Sequence, residues 1–365
     1  MRNFTNIKRI VIKIGTKTLS KGSKVDTVYL RSLAREVKKI ISQGKQVIIV
    51  SSGAIGMGAG SLGLKENVKD IKKRQACAAI GQPLLMHEYQ RAFSSVKVKI
   101  AQVLLTSETF NHRKSYLALQ NSIDTLLNLK IVPILNENDS VSTEEIGSAF
   151  GDNDTLSALV ASKIDADLLI MLSDIDSLYT RDPKKYKTAK PINTVFKITD
   201  KIMKSAGGSG SKFARGGMKT KLNAARIVFN SGCRLIITNG RIKNVLTHIM
   251  SGEDIGTLFM PKQKLSNRER WILNSNPCGT ITVDKGAIEA LKNSKSLLPV
   301  GIKSFKGTFK AGSVILINDV AKAVTSLSSE ELNLVIGKHS TEIRKKIGKE
   351  RPDVVATPEN IIFVE

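Results

Sequence analysis

Two clusters of Asn and Asp carry the strongest chemical signal in this 365-residue chain. Asn136–Glu137–Asn138–Asp139 follows the apolar run Ile131–Val132–Pro133–Ile134–Leu135, and Gly151–Asp152–Asn153–Asp154–Thr155 opens the apolar segment 156–163. A turn or a helix cap uses one such residue; two whole clusters exceed that need. Gathered together, these groups could hold an ammonium, orient a carboxylate or bind Mg²⁺ through water. A second set of residues suits anions. Lys13 lies near the end of the apolar run 9–14 and is followed closely by Gly15. The run 46–50 leads into Ser51–Ser52–Gly53–Ala54–Ile55–Gly56–Met57–Gly58–Ala59–Gly60, whose small side chains suit a loop that cradles a phosphate or carboxylate, or a close-packed turn. It matches neither GxGxxG nor GxxxxGK[ST]. Arg215–Gly216–Gly217–Met218–Lys219–Thr220–Lys221 precedes a helix predicted over 222–230. There backbone amides, helix dipole and ammonium groups point at one spot, as phosphate binding requires.

The elements that must position these groups alternate strand and helix. Apolar runs predict strands over 9–14, 46–50, 99–105, 131–135, 167–172 and 235–237. Between them, helices are predicted from Asp26 to Gly44 and over 70–93, 115–129 and 156–163. This is an α/β pattern: an open, mostly parallel sheet sandwiched by helices. Right-handed crossovers put the strand-end loops on one edge, so Gly15, Ser52–Gly53, Asn136–Asp139 and Ser173–Asp174 are expected to converge. A Lys-rich stretch, 180–212, delivers the Gly216–Gly217 turn. The large domain spans 1–260, a polar linker containing Trp271 spans 261–276, and 277–365 forms a small strand-rich domain with one helix, KGAIEAL.

Composition narrows the function classes. The net charge is +25, yet 277–365 holds 13 Lys/Arg against 10 Asp/Glu, so the excess is spread over the larger domain with few aromatics beside it. That describes a solvated surface more than a nucleic-acid stacking platform. No run approaches the ~20 apolar residues of a membrane span, and the N-terminus leads straight into a strand, unlike a signal peptide. Cys77, Cys233 and Cys278 form no CxxC pair and fit buried thiols of a reducing cytoplasm. The four histidines form no HExxH pattern.

Seven pieces, VIKIGT, VSSGAIGMGAGSLG, QACAAIGQPLL, IVPILNENDSV, FGDND, SDIDSLYTRDP and GGMKTK, occur in that order across the first domain. Together they resemble the amino acid kinase family, and within it the glutamate 5-kinases. The tail, from ITVDKGAIEAL to AGSVI, resembles a PUA domain, a β-barrel of the RNA-binding type. The resemblance implies phosphoryl transfer from ATP to the γ-carboxylate of L-glutamate, with Mg²⁺ brought on the ATP phosphates and no direct protein ligands. It implies that Lys13 and Lys221 flank the phosphates and that Asp154 orients them. Ser52, Gly53, Asn136, Asp139, Asp152 and Asn153 correspond to the glutamate site, with Asp139 suited to the substrate ammonium. Gly15, Ser173, Asp174, Arg215, Gly216, Gly217, Met218, Lys219 and Thr220 join the two lysines on the nucleotide side. It further implies a cytoplasmic homo-oligomer (dimer or tetramer), feedback by proline, RNA at the PUA domain and no membrane partner. Two departures stand out: Arg215 and Lys219 replace neutral residues beside the GGM turn, and the 140–151 loop is about two residues longer than the family's, with Gly147–Ser148–Ala149 looking inserted. The competing readings are another small-carboxylate kinase of the same family, an RNA-binding protein acting through the tail, and a catalytically inactive regulator.

Overall fold

The computed structural model describes residues 1–22, 24–64, 68–106, 109–110, 113–141, 153–183, 185–205, 217–261, 265–338 and 353–364. The chain divides into two compact units, Met1–Leu265 and Ser266–Glu365.

The first unit is built on an eight-stranded sheet. Its spatial order is Thr194–Val195, Thr257–Phe259, Arg234–Asn239, Leu168–Ser173, Arg9–Ile14, Gln46–Val50, Val132–Glu137, Ile100–Leu105. The inner pairings are parallel. Thr257–Phe259 runs antiparallel to Arg234–Asn239, and Thr194–Val195 pairs with it in parallel. Central strands are apolar at successive positions because helices cover both faces of the sheet. The side-chain alternation is visible in Arg9–Ile14: Ile10, Ile12 and Ile14 enter one core, with Leu30, Leu33 and Leu85. Val11 enters the other, with Leu156, Leu159, Leu222 and Val228. Lys13 has the parity of Val11 and so faces the helices Asn153–Lys163 and Met218–Phe229.

The strand order places the site. From Arg9–Ile14 the chain builds outward through Gln46–Val50 to the edge, then returns to lay Leu168–Ser173 on the other flank of Arg9–Ile14. That reversal is a topological switch point, where the carboxyl ends of neighbouring strands part and leave a crevice. Register is tight there: Lys13 lies opposite both Val50 and Met171, Val50 opposite Leu135, and Leu172 opposite Thr238. Helix Asn153–Lys163 makes the return crossover. It is buried along almost its whole length, which explains its all-round small and apolar sequence.

One expectation needs correction. The glycine-rich 51–60 segment is not an extended cradle: after Ser51–Gly53 the chain enters a helix, Ala54–Ser61. The glycines are there for helix contact. A Cβ on Gly58 would stand 1.8 Å from Cys77 O, and one on Gly81 would stand 1.8 Å from Ala54 O. The helices Ala54–Ser61 and Ile71–Ser94 therefore cross at backbone contact, which only glycine allows. Gly53 alone has the left-handed conformation, φ 103°, that turns the strand into the helix.

The second unit holds a five-stranded sheet ordered Ile302–Lys306, Gly279–Val283, Val314–Ile317, Ala321–Val324, Ile361–Phe363. Its core gathers Ile281, Ile315, Ile317, Leu327, Leu332 and Val335. The KGAIEAL helix is present as Lys285–Lys292, capped by Asp284. The unit holds a second helix, Ser329–Val335, beyond the one expected, and it opens with a capping box of Ser328 and Glu331, a local signal present in the sequence. Residues 261–276, expected to be a linker, contain the helix Asn267–Asn274, which belongs to this unit. Its Trp271 packs with Ile272 and Val314, and Lys322 Nζ caps its end by donating to the Leu273 and Ser275 carbonyls at 2.6 and 2.8 Å. The expectation of buried thiols is met by Cys77 and Cys233 but not by Cys278, which is exposed.

Candidate active site

Asp154 is the centre of the crevice. It sits in the first turn of helix Asn153–Lys163, where the helix dipole favours a carboxylate, and it is wholly buried. Its Oδ1 lies 2.5 Å from Lys13 Nζ and its Oδ2 lies 3.0 Å from Lys221 Nζ. Thr220 Oγ1 stands 3.0 Å from Oδ2 and 2.7 Å from Gly217 O. Both lysines are buried. Burial alone would raise the Asp154 pKa; the charges and hydrogen bonds of Lys13 and Lys221 outweigh it and hold the carboxyl below its ordinary value. The constellation comes from a strand end and two helix starts, residues 13, 154 and 221, brought together at the switch point. It carries one net positive charge away from bulk water, which is an electrostatic invitation to an anion.

Lys221 reaches this place because helix Met218–Phe229 starts at Met218, four residues before the predicted start. Lys221 therefore ends the first turn and points inward, whereas Lys219, about 200° round the helix axis, is exposed. Gly217 is the helix N-cap, with no side chain engaged.

Beside the lysines lies an array of amides and hydroxyls. Asn153 Nδ2 donates to Ser51 O at 2.5 Å, Ser52 Oγ at 2.9 Å and Asn136 Oδ1 at 3.0 Å. Asn136 Nδ2 in turn donates to Gln82 Oε1 at 2.9 Å. Ser51 Oγ and Tyr89 Oη are 2.9 Å apart in the core beneath. The two Asn-containing clusters read from sequence thus meet through the Asn136–Asn153 contact. Asp139 lies two residues beyond the strand Val132–Glu137, half-buried. Asp152, Arg215, Gly216 and the Gly147–Ser148–Ala149 segment lie outside the described residues.

On the far flank of Lys13, Gly15 N donates to Leu172 O at 3.0 Å, tying the turn after the first strand to its neighbour. A Cβ on Gly15 would lie 3.3 Å from Leu172 O, a tight contact, and 3.7 Å from Lys13 Nζ, in ordinary contact with the ammonium. Ser173 Oγ donates to Asp174 Oδ1 at 3.2 Å, and Lys17 Nζ bonds Asp174 Oδ2 at 3.0 Å. Partial burial raises the Asp174 pKa; the hydrogen bond and charge of Lys17, with hydrogen bonds from the Asp174 backbone and Ser173, together outweigh it and leave it below the ordinary value. Lys17 and Gln82 were missed at the sequence level. Lys17 looked like one more surface lysine. Gln82 had a signal, a lone polar side chain in the apolar run AAIGQPLL, but no spacing rule says which polar residue of a helix turns toward a site.

The amino acid kinase family model matches residues 8–239 and the PUA domain model matches residues 279–347. A glutamate 5-kinase of Methanosarcina acetivorans is 44% identical over 99% of this chain and 97% of its own. One of Thermoanaerobacter sp. is 43% identical, with 98% of each chain covered. Among solved structures, carbamate kinase from Giardia lamblia bound to AMP-PNP superposes with a TM-score of 0.51 over 71% of this chain and 100% of that one, at 17% identity, a likeness of fold. The buried lysine–aspartate–lysine constellation at the switch point, the family match and the near full-length relatives agree: the chain belongs to the amino acid kinase family, on its glutamate 5-kinase branch, with a C-terminal PUA domain.

Proposed function

We propose that this kinase transfers the γ-phosphoryl group of ATP to the γ-carboxylate of L-glutamate, giving L-glutamyl 5-phosphate and ADP, the first step of proline synthesis. The observation that carries the reading is Asp154 held between the Nζ atoms of Lys13 and Lys221 at 2.5 and 3.0 Å, all three buried. A γ-carboxylate is ionised at neutral pH, so the nucleophile needs no general base. Its oxygen attacks the γ-phosphorus, the bond to the bridging oxygen breaks, and ADP leaves with the electron pair. What such a reaction needs is alignment and neutralisation of charge on the moving phosphoryl group. Two fixed ammonium groups supply the second, and the carboxylate between them holds both in place. Among the described residues no cluster of His, Cys, Asp or Glu could hold a metal ion, and the site's carboxylate is already engaged by the lysines. This donor set fits Mg²⁺ arriving on the ATP phosphates, where it would add further neutralisation.

The array of Ser52, Asn136 and Asn153, with Asp139 at the strand end, suits the amino-acid end of the acceptor. Asn136 is two strands from Lys13, a span of ~10 Å, and a side chain with its carboxylate at the lysines can occupy that distance. Proline feedback, RNA at the second unit, self-association and a cytoplasmic location are proposed on the resemblance alone. The test is ADP release with glutamate, aspartate or neither, with hydroxylamine present to trap the acyl phosphate as a hydroxamate. Glutamate-dependent release with hydroxamate formation, and little turnover of aspartate, is expected. Equal turnover of both acids would refute the assignment.

A further inference from the structure

We infer that Gln82 is a substrate-binding residue whose carboxamide NH₂ receives the α-carboxylate of the acceptor amino acid. The inference rests on the function proposed above and deepens it by naming a group that orients the far end of the substrate.

Donors and acceptors alternate in one direction along the amide array. Ser51 O, 2.5 Å from Asn153, is a backbone carbonyl and can only accept. The Asn153 atom facing it is therefore Nδ2. The same Nδ2 lies 3.0 Å from the Asn136 side chain, so the Asn136 atom there is the acceptor, Oδ1. Asn136 must then present Nδ2 to Gln82, and the Gln82 atom at 2.9 Å must be Oε1. One backbone carbonyl thus sets the direction of three side-chain amides in series. The end of Gln82 left over is Nε2, a pure donor, and among the described residues nothing accepts from it.

The placement of Gln82 is equally constrained. Gly81, its neighbour, meets Ala54 at backbone contact, where even a Cβ would approach to 1.8 Å. Ala54 directly follows Ser52 and Gly53, so the helix Ile71–Ser94 cannot rotate or withdraw without breaking that crossing. Gln82 is buried and bonded to Asn136, whose strand lies two strands from that of Lys13. The polarity sorts the rest. Ser52 Oγ accepts from Asn153 and keeps its own proton to give. Asn153 has spent its NH₂ and keeps Oδ1 to accept. Ser52 and Gln82 therefore offer donors suited to a carboxylate, while Asn153 Oδ1 offers an acceptor suited to an ammonium.

Gln82→Glu separates binding from scaffolding, because it keeps an oxygen for Asn136 Nδ2 and puts a carboxylate oxygen, which repels a substrate carboxylate, where the NH₂ donors were. The full-length chain and this variant are compared with glutamate and with its α-amide, isoglutamine, as acceptors. The expected result is a KM for glutamate raised roughly 10–100-fold, the worth of a hydrogen bond to a charged group, with kcat within about threefold and KM for ATP unchanged. Isoglutamine, whose amide can donate to a carboxylate, should be used by the variant at least as well as by the wild type. Gln82→Met, which loses both ends, should raise the KM and also lower kcat as Asn136 loosens; equal thermal transitions establish that the variants fold. An unchanged glutamate KM in Gln82→Glu, with the wild type turning glutamate over normally, overturns the role of Gln82 alone. A wild type whose ADP release does not respond to glutamate overturns the function proposed above and this inference with it.

Discussion

Asp154→Asn is the sharpest test of the constellation, because it removes one charge and almost no volume. In the wild type the carboxylate bridges two buried ammonium groups and offsets one of their two charges. With arms of 2.5 and 3.0 Å on the two oxygens, the Nζ atoms stand roughly 5 Å apart, and their mutual repulsion at an effective dielectric of about 20 is about 3 kcal/mol. That repulsion becomes uncompensated in the variant, in line with the ~3–5 kcal/mol typical of removing one partner from a buried ion pair. The first unit should therefore unfold at a lower urea midpoint and about 10 °C lower in temperature. A nonhydrolysable ATP analogue with Mg²⁺ should restore more stability to the variant than it adds to the wild type, since its phosphates bring back the missing negative charge. Turnover should still fall, because the lysines are no longer aimed. The pH dependence has a definite sign. The folded Asp154 pKa lies below the ordinary 3.8, so its stabilisation is complete above that pH and is lost as pH falls through the folded value. The wild type should lose this contribution on acidification; the variant has none to lose. An Asp154→Asn protein with the wild-type urea midpoint in the absence of nucleotide would refute the electrostatic account.

Lys13→Ala and Lys221→Ala should each lower kcat by about 10²–10³, with KM values moved less. Exposed Lys219 should tolerate alanine with a change of at most a few-fold; if Lys219→Ala proves the most damaged of the three, the phosphate lysine has been misassigned. Gly81→Ala drives a methyl to 1.8 Å from Ala54 O and should cost upwards of about 3 kcal/mol, read as a urea midpoint; wild-type stability would deny the close helix crossing. Ending the chain at Leu265 should leave a folded kinase with kcat within about threefold of the full chain, since Met1–Leu265 is a compact unit that contains every site residue. A soluble truncation with its own thermal transition but no turnover would show that the second unit is needed for catalysis.

Several features were decided locally and could be read from the residues alone. Apolar runs of strand length alternating with helical periods oblige the chain to form a parallel sheet covered on both faces. Once crossover handedness is added, Gly15, Ser52–Gly53, Asn136–Asp139 and Ser173–Asp174 must share one edge. Asp26 as the cap of helix Thr27–Ser42 was equally legible, because capping depends on neighbours in sequence. The glycine-rich segment shows where such reading stops. Gly58 and Gly81 are explained by Cys77 and Ala54, residues on the opposing helix, and a loop and a tightly packed helix use the same small side chains. The pairing of Asp154 with both lysines was implied by family resemblance, but neither spacing nor periodicity required it: the three residues come from a strand end and two helix starts. The direction of the Gln82 amide depends on a carbonyl 31 residues away in sequence, reached through two other side chains. Local propensity acts over a few residues, whereas burial, charge pairing and amide polarity depend on which segments the sheet order makes neighbours. Tertiary structure therefore decided which lysines are buried, which carboxylate joins them and which donors face the crevice.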